Sequence, residues 1–400
     1  MSVLIQHGWG YRREIREALA ERTAAGAILS PRDEGSNTMG DLARDLKAAS
    51  PSSLLLFDPQ FHALEIMNAR LGSLPSYVYY RSQLGRSSFV GSAAIAGLVH
   101  PVLDYQMGLE VDRLVSPTVL LEGLGDTRAQ VVSLFLAHES MDYHAKKGDP
   151  RPLLISVVLS EAALSQETAL HDFLDELSLL DAAAGFYVVI RRASAGYNQR
   201  FKSRRLAALM YLVYVLGEIN RFEVIIGYTD LVGSLLRAVG ATAWASGSSQ
   251  NLRRFTKERF EPRSGGKPAR GRYTSLPLLN SLLMSELDSC HQAGVLPQVL
   301  SGDPLDDIIL SARNPLTADG WNREVSASHH WWVLSQLDAL VSSGDWRARL
   351  AECQGALTRA KTLYGVLKER NVALAPASGP KHLDEWDEAV TGFVKLVEAS

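Results

Sequence analysis

Cysteine is nearly absent from this chain: two residues in 400, Cys290 and Cys353, far apart. Two thiols so placed supply neither a disulfide framework nor a zinc site by themselves. No apolar run reaches the roughly 18–20 residues that a membrane span needs. The opening residues lack a basic stretch followed by a hydrophobic one. A soluble cytoplasmic protein without membrane contact is the expectation. The composition, 46% hydrophobic and 21% charged, excludes disordered, collagen-like and coiled-coil chains. At about 150 residues per domain the length allows two or three units, although one α/β barrel can take roughly 250 residues alone.

A large excess of either charge is missing too. The chain carries 41 Lys and Arg against 44 Asp and Glu, for a net −3. The balance is uneven along its length. Residues 191–205 hold six basic side chains and no acid, and residues 253–272 hold eight basic against two acidic, which leaves the remainder at −15. Two concentrated basic segments in an acidic chain point to a local anionic ligand rather than to general polyanion binding. The alternative is a pair of solvated loops. Duplex-DNA binding is disfavoured, because the basic residues sit in two loops and not on a recognition helix.

What the chain does have is alternation. Short apolar runs at 3–6, 27–29, 54–57, 114–115, 153–159, 186–190, 224–226 and 241–245 read as strands buried on both faces. Amphipathic stretches such as 126–147, 166–181, 200–219 and 229–239 lie between them. Asp126 or Thr127 can cap the first of these and Gly148 ends it; Thr229 can cap the last and Gly240 ends it. Eight alternations over residues 1–260 predict an α/β fold, a (β/α)8 TIM-like barrel. A doubly wound open sheet is the rival, since periodicity does not tell a closed sheet from an open one. Residues 75–100 read as an inserted hairpin or lid. Residues 261–275 form a basic, Gly- and Pro-rich linker. From there the strand signal disappears, and 276–294, 328–344, 346–371 and 383–398 read as a helical C-terminal region. His329-His330-Trp331-Trp332 is poor metal geometry, because adjacent residues point to different helix faces. It suits aromatic packing against the barrel or against a second copy, as in a homodimer.

Barrel chemistry sits at the C-terminal ends of the strands. Asp58, directly after Leu54–Phe57 and before a rigid Pro, can serve as nucleophile or general base there, or it can cap the following helix. Asp33, beside Arg32, is a second carboxylate of this kind. His7 can bind a ligand or shuttle a proton, and His62 is a weaker candidate one turn into a helix. Arg191 at the end of the sixth run, Tyr228 after the seventh, and Ser246, Gly247, Ser248, Asn251 and Arg253 after the eighth suit a cradle for an anion. For each, a structural role in a turn or wall is the alternative. No residue set calls for a metal or other cofactor.

Three stretches resemble the tRNA-guanine transglycosylase superfamily: Leu103 to Asp112; the strand–helix–strand pattern of 153–190 with Gly185-Phe186-Tyr187; and Gly227-Tyr-Thr-Asp-Leu-Val with Gly240, Asn251 and Arg253. The resemblance covers about 150 residues by pattern. It implies a (β/α)8 barrel, and an N-glycoside-cleaving or transferring activity on a guanine or 7-deazaguanine base joined to an RNA or modified-protein partner. Diverged barrels of this type in bacterial antiphage operons make a defence role the implied setting. The family's zinc cluster has no counterpart here, Ala245 falls where its nucleophilic Asp stands, and Thr118 where its base-reading Asp stands. Two other readings remain: a catalytically inactive binding or adaptor barrel, and a phosphate-binding barrel enzyme acting on a small sugar phosphate.

Overall fold

The computed structural model describes residues 2–66, 69–82, 84–193, 196, 199–261 and 271–399. Eight parallel strands follow one another along the chain: β1 (Val3–Gln6), β2 (Gly26–Leu29), β3 (Leu54–Phe57), β4 (Leu114–Val115), β5 (Leu153–Ser160), β6 (Gly185–Arg191), β7 (Glu223–Gly227) and β8 (Ala243–Ser246). Their apolar side chains are withdrawn from solvent on both faces, which is why the runs show no alternation. The neighbours run β3-β2-β1-β8-β7-β6-β5-β4, so the first strand pairs with the last, and a ninth two-residue strand, Leu120–Leu121, continues the pairing of β4 along β5.

Between β3 and β4 the ladder thins to one bridge, Leu56 with Arg113. Asp112 completes this seam. Its amide donates to the Leu55 carbonyl at 2.8 Å, and its carboxylate accepts from the Leu55 amide at 2.7 Å and from Lys47 Nζ at 2.7 Å. A side chain here takes the place of a missing strand residue. The result is a nearly closed (β/α)8 barrel with a C-terminal helical extension, and the open-sheet alternative falls away.

The outer layer holds α1 (Arg12–Ala20), α2 (Met39–Ala49), α3 (Ser92–Met107), α4 (Thr127–Lys147), α5 (Glu167–Ser178), α6 (Ser203–Tyr214) and α7 (Gly233–Ala238). Asp126 caps α4 by accepting from the Ala129 amide, and Gly148 ends it in a left-handed conformation. Thr229 does not cap α7; its hydroxyl donates to the Ala245 carbonyl, which draws the turn after β7 against β8. Residues 75–91 form neither hairpin nor separate lid among their described positions. They make 3-10 turns whose Tyr77 and Tyr79 pack around Phe57.

After β8 comes a one-turn helix, α8 (Gln250–Arg253). Residues 262–270 of the expected linker lie outside the described residues. The expected helix over 276–294 is instead a small hairpin, β9 (Tyr273–Ser275) and β10 (Asn280–Leu282), followed by α9 (Met284–Gln292). Its strands are only three residues long, too short to show a period in sequence. Of the longer helices, α10 (Arg323–Leu340) lies against β1, α1 and α7, where the eighth helix of such a barrel belongs. α11 (Trp346–Glu369) packs on α7 and α12 (Lys381–Ala399) on α6. His329 and His330 are wholly buried on α10. His329 bridges Asp303 and the Thr274 carbonyl at 2.7 and 2.8 Å.

Replacing Asp112 by Ala strands the Leu55 amide at the seam. The expected loss is about 2 kcal/mol of unfolding free energy in urea titration. Lys47→Met should cost less, since it leaves that amide bonded. Equal losses would contradict this account of closure.

Candidate functional site

At the C-terminal end of the barrel the chain folds polar groups inward. Asp58 is 2% exposed. One of its oxygens accepts from the Gln60 amide at 3.0 Å, a tight local turn after Pro59. The other faces across the barrel and accepts from Tyr187 at 3.1 Å and Tyr228 at 3.4 Å. The capping alternative is thereby reduced to half a carboxylate. Gln60 Nε2 then donates to Tyr228 Oη and to Ser30 Oγ at 2.8 and 2.9 Å, and Ser30 Oγ donates to Asp33 at 2.8 Å. His7 Nδ1 accepts from the Ser30 amide at 3.4 Å. Gln60 and Tyr228 both hold φ near +50°, a conformation non-glycine residues rarely take, and they hydrogen-bond each other. Strain of this kind concentrates where a fold must place side chains for function.

The segment after α8 closes over this network. Phe255 pairs with β6 through Arg191 and stacks edge-on with His62 at 4.9 Å. Arg259 reaches back to Asp33 at 2.5 Å, and its guanidinium lies 5.6 Å from the Tyr228 ring centre. Arg32 contacts Asp33 at 3.2 Å and lies over Phe260. Gly227 leaves the room that Tyr187 needs: a Cβ there would come within 2.4 Å of the phenol oxygen.

Burial sets the electrostatics. It pushes the Asp58 carboxyl up to about 6, against the opposing pull of the Gln60 amide, the Tyr187 phenol and the Arg259 charge. Burial would raise Asp33 as well, but Arg259 and then His7 hold it below the usual range. His7 and His62 are both driven down by burial, His62 to about 3, so His62 is a neutral imidazole at ordinary pH. Two carboxylates in one pocket thus have their proton affinities pushed apart.

Asp58, Asp33, His7, Arg32 and Tyr228 come together, with His62 in the cover above them. The expected anion cradle is built differently. Ser246 points to the buried His330 ring at 3.1 Å. Gly247 is needed where Leu252 packs, since a Cβ would lie 2.1 Å from the Leu252 Cβ. Ser248 lies beside Tyr11, Asn251 is half-buried on α8, and Arg253 Nε donates to the Gly247 carbonyl at 3.1 Å. Arg191 pairs with Glu122, as does Lys257, and Arg205 with Glu161. Much of the local basic charge is therefore met by acids of the same chain. Ser30, Gln60, Tyr187, Phe255 and Arg259 were not singled out as site residues in the sequence. Gln60 follows the Asp58-Pro59 pair and Arg259 lies inside the second basic segment, so both carried a faint signal. Tyr187 carried none beyond a polar-tipped aromatic in an apolar run.

Among the described residues no group of three or more His, Cys, Asp or Glu is placed to hold a metal ion, and no helix is long and apolar enough to cross a membrane. No family model and no curated protein matches the chain. Solved structures similar to it include an enolase from Sargasso Sea environmental sequencing, with 11% identity, a TM-score of 0.29, and 62% of this chain and 54% of that one covered. Another is the carboxyl transferase domain of Rhizobium etli pyruvate carboxylase with 3-bromopyruvate, at 12% identity and TM-score 0.36, covering 99% and 60%. A third is nitroalkane oxidase from Streptomyces ansochromogenes, at 14% and 0.30, covering 88% and 97%. The chain spans little more than half the length of the first two. None of the three is described as a transglycosylase, and likeness this distant carries no functional argument.

Asp58 gives a direct test of the site's electrostatics. With a folded value near 6 against the ordinary 3.8, the stability its protonated form contributes is present below about pH 4 and lost as pH rises through 6. The unfolding free energy of Asp58→Asn minus that of the wild type should therefore grow by up to about 3 kcal/mol between pH 4 and pH 8. A difference independent of pH would refute the raised value.

Proposed function

We propose that the barrel mouth recognises a guanine-type base, guanine or 7-deazaguanine, joined to a larger partner. The supporting observation is a set of buried polar atoms that meet no partner: Gln6 Oε1 and Nε2 at the end of β1, His62 Nε2 in the turn after β3, and Thr256 Oγ1 and Arg259 Nε in the segment after α8. Leaving such groups unsatisfied costs about 1–3 kcal/mol each. A flat polar ligand among them would restore their bonds. A carboxylate such as Asp58 suits the N1–H and exocyclic amine of guanine, and a guanidinium suits its O6 and N7 edge. Phe255 and His62 offer ring faces for stacking.

Both Asp58 oxygens already accept hydrogen bonds, which blunts the group as a nucleophile toward carbon. Burial raises its affinity for the proton in spite of those bonds, which fits proton transfer near neutral pH. Base exchange through a glycosyl–aspartate intermediate is not the chemistry favoured. The segment from Phe255 to Phe260 must open for a base to enter and then close again, which brings Phe255, Thr256 and Arg259 onto it. Because that segment fills the mouth with the chain's own side chains, a binding or adaptor role without turnover is the second reading. An RNA or modified protein as the larger partner, and a place in antiphage defence, rest on the transglycosylase resemblance.

Calorimetric titration with guanosine and adenosine tests the proposal. Guanosine should bind at least roughly tenfold more tightly, and Asp58→Asn should weaken it roughly 10–100-fold. Equal affinity for adenosine, or an unaffected Asp58→Asn protein, would overturn the reading. Release of free base from guanosine by the wild type, abolished in Asp58→Asn, would make the barrel an enzyme; binding without release would make it the adaptor.

A further inference from the structure

The outer helices of the barrel are of two kinds. On α1 and α5 the outward positions are largely polar: Arg12, Arg13, Arg16 and Glu17 are exposed on the first, and Glu167, Asp172, Asp175 and Glu176 on the second. This is the ordinary pattern of a helix with one face on a core and the other in water. α4 departs from it. Its inner face buries Leu136, Ala137 and Tyr143, yet its outer face carries Val131 at 45% and Phe135 at 55% exposure. A helix that is apolar on both faces suits a position covered on both.

The exposed stripe continues at helical spacing through Arg128, Val131, Phe135, His138 and Asp142. α3 lies alongside, parallel to α4 and in a fixed register. His100 Nε2 meets Glu139 at 2.7 Å, and the Tyr143 hydroxyl donates to Asp104 at 2.8 Å. That register brings Ala93 and Gly97, both exposed, level with Val132 and Leu136. A Cβ placed on Gly97 would meet nothing within 4 Å. A projecting ring thus stands beside open surface that carries no bulk.

We infer that a second copy of this chain docks on the α3–α4 face, with α4 antiparallel to the partner's α4 about a two-fold axis at Phe135. The charges select that arrangement. Arg128 and Asp142 stand on the same stripe, seven residues before and after Phe135, which is about 10 Å to either side. The two-fold therefore sets Arg128 against the partner's Asp142, and Asp142 against the partner's Arg128. A parallel pairing would set like charges together, which is repulsive. A foreign partner would need to bring the matching pattern; this chain matches itself. At the axis the two Phe135 rings meet, with Val131 beside them and the small residues of α3 letting the surfaces approach. An aromatic centre with a charged rim is the usual anatomy of a specific interface. The Trp331-Trp332 stretch offers no comparable face, because Trp331 is wholly buried.

Sedimentation velocity of the full chain between about 1 and 200 µM tests the inference. Two helices a side make an interface at the small end of specific ones, so the wild type should dimerise with a Kd on the order of 10 µM. Phe135→Glu should raise that Kd at least roughly 30-fold. Gly97→Gln should raise it at least roughly tenfold, although its side chain enters open space in the monomer. Both variants should keep the wild-type Tm in dilute solution, where dimer is absent. Arg128→Glu and Asp142→Arg should each weaken the dimer about tenfold, and the double variant should regain most of the wild-type affinity. A chain that stays monomeric over the whole range overturns the inference, as does a dimer indifferent to Phe135→Glu and Gly97→Gln. A dimer that Phe135→Glu breaks, but that the double reversal does not restore, overturns the antiparallel arrangement. Should Phe135→Glu not fold, Gly97→Gln decides in its place.

Discussion

The ion pair between Arg259 and Asp33 ties the chain that leaves the last barrel strand to the loop that follows the second. Everything at the mouth depends on it. Phe255 and Phe260 are laid across the opening because Arg259 is anchored beneath them. His62 loses its access to water under Phe255, and Asp58 sits dry enough for its proton affinity to rise. The anchor also orders the two carboxylates. Asp33 takes the positive charge and stays ionised; Asp58, held by neutral donors, becomes the one that titrates.

A buried charge pair is not by itself a source of stability, since desolvation offsets the attraction. Its retention in the barrel mouth is easier to understand as a means of positioning. Around it lie two residues in a left-handed backbone conformation and several polar atoms without partners. A core selected only for stability would have apolar groups there. The same contrast appears at the neighbouring cleft, between the ends of β6 and β7 and the chain after β8, where the Nε of the buried Arg254 has no hydrogen-bond partner.

The strands, and the polar residues that stand at their C-terminal ends, were legible in the sequence. Continuous apolar runs mark strands covered on both faces, and a carboxylate just beyond such a run must emerge at the barrel's C-terminal end, so Asp58, Asp33, His7 and Tyr228 could be named from position alone. The hairpin at 273–282 could not, because three-residue strands carry no period. Nor could the fate of the basic segments. Charge in sequence says nothing about which acids will face it, and Glu122, Glu161 and Asp33 arrive from distant loops to meet Arg191, Arg192 and Arg259. Ser246 and Gly247 fit the composition of a phosphate cradle, yet the first turns to His330 and the second makes room for Leu252.

Local order, then, was determined by the sequence itself: which segments are strands, how many there are, and which residues stand at their ends. These follow from short-range periodicity and the burial it demands. Closure of the sheet through Asp112, the return of α10 to the barrel wall, and the partnership of Tyr187 and Tyr228 with Asp58 were decided only by the tertiary structure. Each joins residues far apart in the chain, and the energy of each exists only when the barrel brings them together in a place from which water is excluded.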